Sequence, residues 1–112
     1  MTKIEAIVRP EKLEPIVDRL SELGYPGLHY TDVQGHGRQK GVKELFRGRE
    51  YEVKFVPKIK IEIVVADDKA GVIVDAVSAI ARTGQVGDGK IFVSPVAEAM
   101  RVRTGERGEQ AL

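Results

Sequence analysis

A chain of 112 residues has room for one compact domain, expected to occupy 1–112, and a core that takes roughly two-thirds of its unfolded surface out of water. It contains no cysteine, which excludes disulfides and thiolate metal sites, and no apolar run of membrane-spanning length. Eighteen Lys and Arg against seventeen Asp and Glu leave a net charge of +1, which argues against a broad nucleic-acid-binding face, so any anion site must be a local cluster.

The chain opens Met1-Thr2-Lys3-Ile4-Glu5 without a signal-peptide core, and a cytoplasmic location is the expectation. Ile4, Ala6 and Val8 alternate with Lys3, Glu5 and Ile7, the pattern of a half-buried strand. Pro10 then opens a helical pattern in which Leu13, Ile16, Val17, Leu20 and Leu23 share a stripe, with Gly24 at the position that follows a helix C-cap. Pro15 removes a backbone donor near the helix start, where the loss costs least. A second strand is predicted from about Gly27 to Gly35, and a long polar stretch follows to Lys54. Phe55 to Ala66 is the strongest strand, with Ile59, Ile61, Ile63 and Val65 on one face and Lys58, Lys60, Glu62 and Val64 on the other. Asp67-Asp68 suits the N-cap and first turn of a second helix, whose stripe is Ala70, Ile73, Val74, Val77, Ile80 and Ala81 and which Gly84 is expected to close. A last strand covers about Ile91 to Val96.

The order βαββαβ predicts an α+β, ferredoxin-like sandwich: a four-stranded antiparallel sheet with two helices on one face. The other face carries Ile7, Val64 and Phe92, which favours self-association.

Four segments carry candidate chemistry. In Thr83-Gly84-Gln85-Val86-Gly87-Asp88-Gly89-Lys90 the spacing of Gly84, Gly89 and Lys90 matches a Walker A loop, but Ile91 stands where a Mg²⁺-binding hydroxyl belongs and the segment joins a helix to a strand. Three glycines, a string of amides and one lysine suit phosphate cradling without Walker-type hydrolysis; the plain alternative is a turn with a solvated lysine. Arg101 and Arg103 share one side of an extended segment, as phosphate-directed guanidiniums or as partners of Glu98 and Glu106. Gly35-His36-Gly37 is only a fragment of a dinucleotide fingerprint and no helix follows, so Rossmann binding is rejected, while Gln39 and Lys40 are placed to meet a ligand. Gly41 to Lys54 mixes charges with Leu45, Phe46 and Tyr51, as a partner-contact loop or a long hairpin would. No catalytic constellation is visible.

Taken together, Ile4–Pro10, Val33–Gly41 (VQGHGRQKG), Glu44–Tyr51 (ELFRGREY), Pro57–Val65 (PKIKIEIVV), Thr83–Val93 (TGQVGDGKIFV) and Arg101–Glu106 (RVRTGE) closely resemble the PII nitrogen-regulatory signal-transduction family. The resemblance implies a homotrimer binding ATP or ADP in clefts between subunits. The phosphate loop is 83–90, with Thr83, Gly87, Asp88, Gly89 and Lys90, and Arg101 and Arg103 arrive from the neighbour's C-terminal segment, 98–112. Gly35, Glu62 and Val64 would line adenine and ribose, and Gly37, Arg38, Gln39 and Lys58 join the nucleotide-binding set. Gln39 would help hold Mg²⁺ with ATP, while Gln39, Lys40, Gly41 and Lys58 meet 2-oxoglutarate. A flexible T-loop, about 37–55, is implied to dock on an ammonium transporter or nitrogen-metabolism enzymes through Phe46, Arg47 and Tyr51, and Tyr51 matches a nucleotidylylation site. Contact with a membrane would be indirect, through a transporter, and no direct nucleic-acid contact is implied. Arg9 stands where lysine is common, His36 for a usual Phe and Phe46 for a usual Tyr; Arg49 replaces the phosphorylatable Ser of some members.

A non-enzymatic sensor is therefore expected. The competing readings are a slow nucleotide hydrolase in the same cleft, disfavoured by Ile91, and an RNA-binding ferredoxin-like module. The sheet offers the latter little beyond Phe92 and Tyr30 for base stacking.

Overall fold

The computed structural model describes residues 1–36 and 55–112. β1 (Thr2–Val8) buries Ile4, Ala6 and Val8, and β3 (Val56–Val65) buries Ile59, Ile61, Ile63 and Val65, so the alternation of each strand becomes one buried face. β1 pairs antiparallel with β3 (Ile4 opposite Ile63) and with β4 (Lys90–Pro95), and β3 pairs with β2 (His29–Gly35), giving the order β2-β3-β1-β4. α1 (Leu13–Glu22) and α2 (Ala70–Ala81) cover that buried face with Ile16, Leu20, Ile73, Val77 and Ala81. The fold is the ferredoxin-like sandwich expected from the order of the elements.

Several boundaries differ from the sequence reading, each for a local reason. Pro10 opens a short 3-10 turn, Pro10–Lys12, and α1 begins at Leu13. Pro15 therefore falls in the first turn of α1, whose amides have no intrahelical acceptor. Gly24 does end α1: at φ 91° it lets its own N–H reach the Ser21 carbonyl at 3.0 Å and the Tyr25 N–H reach that of Leu20 at 2.8 Å, a Schellman closure. The second strand starts at His29, two residues later than expected. Asp67 does not cap α2. Its carboxylate accepts instead from the Thr2 hydroxyl at 2.6 Å, and the 3-10 turn Asp67–Lys69 precedes α2 without a side-chain cap. Nor does Gly84 close α2, because Arg82 is already extended (φ −72°, ψ 123°) and Gly84 belongs to the loop that follows.

The uncovered sheet face carries a charge lattice at its centre. Lys3 and Lys60 each lie within 4 Å of both Glu5 and Glu62, at 3.3 to 3.9 Å. Ile7, Val64 and Phe92 sit around it, and Phe92 is half exposed.

Candidate functional site

At one end of the uncovered face three chain segments converge. β1 runs out toward Arg9, β2 ends at Gly35 opposite Val56 of β3, and the loop from Arg82 to Gly89 delivers Lys90 opposite Ile7. Between them lies a cleft of about 350 Å³, whose walls include Ile7, Gly35, Lys58, Gly87, Gly89 and Lys90. Residues distant in the sequence are thus neighbours for a topological reason: in an antiparallel sheet the C-terminal ends of β1 and β2 meet the N-terminal ends of β3 and β4.

The loop's shape comes from its glycines and from one carboxylate. Gly84, Gly87 and Gly89 adopt φ of 86°, 103° and 99°, a region side chains avoid. Both oxygens of Asp88 turn back into the loop. Oδ2 accepts the amides of Thr83 and Gly84 at 2.8 Å each, and Oδ1 accepts the Thr83 hydroxyl and, more loosely, Arg9 Nε at 3.4 Å. The Thr83 hydroxyl, aided by these amides and the guanidinium, holds the Asp88 carboxyl well below the usual carboxylate range. It is an anion whose charge is already answered.

Cations dominate the rest. Arg9 Nη2 donates to the Val86 carbonyl at 2.9 Å, and Lys58 Nζ donates to the Gly87 carbonyl, so both are drawn to the same strip of backbone. The Lys58 stem passes over Gly35, where a Cβ would meet it at 3.2 Å. Lys90 is exposed on the cleft wall. Ile91, next in β4, sits opposite Ala6 and packs toward the core. A hydroxyl at that position would point away from the cleft, which deepens the mismatch with a Walker loop.

Of the sequence-predicted site residues, the structure gathers Gly35, Lys58, Gly87, Gly89 and Lys90 around one cleft, with Thr83 and Asp88 shaping its loop. Glu62 stands in the charge lattice, where the Lys60 ammonium above all keeps its carboxyl low. Val64 lines a separate cleft of about 470 Å³ with Tyr25, Lys69 and Leu112. Arg101 and Arg103 do not lie on an extended strand: Val102–Thr104 form a turn, closed by Gly105 N–H to the Arg101 carbonyl at 2.7 Å. Arg101 pairs with Glu106 at 2.8 Å and donates to the Leu112 carbonyl at 3.2 Å, while Glu98 pairs with Arg107. Arg103 has no hydrogen-bond or ion-pair partner among the described residues. Val102, between the two arginines, is 95% exposed. Gly37, Arg38, Gln39, Lys40, Gly41, Phe46, Arg47 and Tyr51 lie outside the described residues. Sequence reasoning leaves Arg9 out of the site; its signal is a cation at the exit of a central strand, immediately before a proline.

A family model for nitrogen regulatory protein P-II matches residues 1–106. The chain belongs to the P-II family. Nitrogen regulatory protein P-II of Cereibacter sphaeroides is 53% identical over 112 residues, covering all of both chains, and that of Rhizobium meliloti (strain 1021) is 51% identical over the same full length. Nitrogen regulatory protein P-II 1 of Escherichia coli (strain K12) is 52% identical, again across both whole chains. The crystal structure of Arabidopsis thaliana PII bound to citrate superposes with a TM-score of 0.82 at 42% identity, covering 99% of this chain and 91% of that one. The P-II proteins are regulatory signal transducers of nitrogen metabolism, and this chain shares their fold along its length. Among the described residues no helix is long and apolar enough to cross a membrane, and no group of three His, Cys, Asp or Glu is placed to hold a metal ion.

Proposed function

We propose that this P-II protein senses metabolites by binding ATP or ADP in the Lys58–Lys90 cleft, and 2-oxoglutarate together with Mg-ATP, and passes the result to target proteins through residues 37–55. The observation that carries the reading is the convergence of Arg9, Lys58 and Lys90 on a glycine-rich loop whose one carboxylate is turned inward. The N–H groups of Val86, Gly87 and Asp88 have no acceptor among the described residues, and such a row of amides suits phosphate oxygens. ATP carries about three to four negative charges, which a few fixed cations together with Mg²⁺ can balance in a half-closed cleft. Citrate bound to the Arabidopsis relative supports an affinity for polycarboxylates.

The described donors near the cleft are cationic and suit anions rather than a bare metal ion. Mg²⁺ would therefore come with the nucleotide, with Gln39 as its proposed protein ligand. The metal's chemistry would be electrostatic: it links the phosphates to a dicarboxylate. That linkage makes the affinities of ATP and 2-oxoglutarate raise each other, typically by about 1–3 kcal/mol, and it must be reciprocal.

The remaining cations are proposed to come from a second copy in a homotrimer. Arg101 and Arg103 line none of the cleft in their own chain, and they flank a valine that a monomer leaves in water. The targets proposed are an ammonium transporter and enzymes of nitrogen metabolism, with Phe46, Arg47 and Tyr51 as contact residues and Tyr51 open to nucleotidylylation. Calorimetry of ATP with and without Mg²⁺ and 2-oxoglutarate, alongside native mass, tests the reading. Binding of 2-oxoglutarate only with Mg-ATP present, to a trimer, is expected; a monomer that ignores adenine nucleotides would refute it.

A further inference from the structure

Asp88 belongs to the loop that walls the proposed nucleotide site, its carboxylate turned back into that loop, and its role rests on that nucleotide reading. An aspartate in a phosphate loop is at first sight a misfit, because a carboxylate directed at a triphosphate repels it. Its other expected use, as a ligand for the metal that accompanies the nucleotide, needs a free lone pair. A carboxylate offers about four lone-pair sites. In Asp88 four donors take them: the amides of Thr83 and Gly84 on Oδ2, and the Thr83 hydroxyl and Arg9 Nε on Oδ1. Thr83 is committed in the same way, since its hydroxyl donates to Asp88 and accepts the Gln85 amide at 3.2 Å. Asp88 then has no lone pair left for a metal, and Thr83 no proton left to donate to a phosphate, unless the loop opens.

What these bonds do is geometric. They tie residue 88 back onto residues 83 and 84, so that the chain between must bulge outward through Val86 and Gly87. Gly87 and Gly89, at φ 103° and 99°, allow the reversal on either side of Asp88. The bulge holds the Val86 carbonyl against Arg9 and leaves the Val86, Gly87 and Asp88 amides without acceptors among the described residues. We propose that Asp88 is a positioning residue. Its carboxylate, with the Thr83 hydroxyl as partner, clamps the loop so that the 86–88 amides and the Arg9 guanidinium are presented to the phosphates, and neither Asp88 nor Thr83 side chain touches them.

A clamp acts before ligand arrives, and a contact residue does not. Amide hydrogen exchange on the nucleotide-free protein is therefore the first readout. In Asp88→Ala, exchange at Thr83 and Gly84 is expected to rise by about tenfold or more over wild type, because the acceptor that protects both amides is gone. Thr83→Val should speed exchange at Gly84 as well, and Thr83→Ser, which keeps the hydroxyl, should restore it. The second readout is ATP affinity. Asp88→Ala and Thr83→Val should each weaken it by about tenfold, and the double variant should be no weaker than Asp88→Ala alone, since both remove one clamp.

Unchanged exchange in free Asp88→Ala, or losses that multiply in the double variant, would overturn the proposal. A separate Lys90→Ala titration keeps the two readings apart. Were wild type and Lys90→Ala equally indifferent to ATP, the nucleotide reading would fall while exchange still decided the clamp. Intact nucleotide binding with unaltered exchange in the variants would sink the clamp alone.

Discussion

Gly84, Gly87 and Gly89 all adopt positive φ, yet alanine at each should fail in a different way. A side chain held in such a conformation costs about 1–3 kcal/mol. At Gly84 nothing lies within 4 Å of the added Cβ, so that is the whole penalty, and the loop can relax some of it away. At Gly89 the Cβ would lie 2.8 Å from the Ile7 carbonyl carbon and closer still to its oxygen. Ile7 belongs to β1, paired on both sides, so neither backbone can move without breaking ladder bonds. Displacing packed groups adds about 1–3 kcal/mol or more, for a total of about 2–6 kcal/mol, a large share of the usual 5–15 kcal/mol or so of net stability.

Gly87 is the third case. Its Cβ would meet Arg9 Nη2 at 3.2 Å and Lys58 Nζ at 3.4 Å, the far ends of two flexible side chains. Those ends can yield, so Gly87→Ala should unfold much like Gly84→Ala, but the displaced groups are the cations of the site. Urea unfolding at one protein concentration, with a slope of about 1–3 kcal/mol per M, should place the Gly89→Ala midpoint lowest by roughly 1 M or more. Nucleotide titration should single out Gly87→Ala over Gly84→Ala. Equal midpoints for the alanines at 84 and 89, or equal nucleotide affinities for those at 84 and 87, would refute the reasoning.

Lys90→Ala should weaken ATP by more than about tenfold without moving the urea midpoint, because an exposed charge facing a phosphate is worth far more than one facing water; unchanged affinity in calorimetry would remove Lys90 from the site. Asp88 titrates below its usual 3.8 in the folded protein, so its contribution is complete above about pH 4 and is lost as pH falls through the folded value. Asp88→Asn should therefore flatten the acid limb of stability below about pH 4, and parallel limbs in urea midpoints would contradict this. Chains carrying Lys90→Ala or Arg103→Ala, refolded together one to one, should recover about a quarter of the nucleotide sites if each site joins Lys90 of one copy to Arg103 of the next. If both residues served one chain's site, the mixture would recover none.

The sandwich is legible because β1 and β3 alternate cleanly and the helical stripes contain the helix residues that are buried. Ile4, Ala6, Val8, Ile59, Ile61, Ile63, Val65, Ile16, Leu20, Ile73 and Val77 all lie in the core. The misreadings involve groups with more than one suitor. Asp67 could cap α2, but the Thr2 hydroxyl, sixty-five residues away in the chain, claims its carboxylate. Arg101 and Arg103 read as alternating residues of a strand. The turn arises because Gly105 takes φ 77° and Glu106 collects both Thr104 and Arg101, which no two-residue period encodes. The cations of the cleft are visible as types, and Lys58, Lys90 and the glycines do lie together around it. Arg9 is noted but left out of the site because only the sheet register shows that β1 exits beside the loop. That Asp88 faces inward cannot be read at all, since it depends on where two amides and a hydroxyl stand relative to one carboxylate.

Register also explains how a small ligand could be felt at a distance. β2 ends at Gly35 and β3 begins at Val56, and just beyond these ends the rings of His36 and Phe55 lie 5.8 Å apart. Gly35, His36, Val56 and Lys58, at these two strand ends, are themselves walls of the cleft. In the structure Lys58 is drawn to the Gly87 carbonyl and Arg9 to that of Val86. Each cation spends only some of its donors there, so an anion in the cleft would meet the remaining ones and draw both cations away from the loop carbonyls. The Lys58 stem runs against Gly35, so a shift that reaches the stem alters the packing where β2 ends. We propose that the exchange of carbonyl for anion reaches the segment proposed to meet targets through this contact. A ligand without negative charge has no means to drive it.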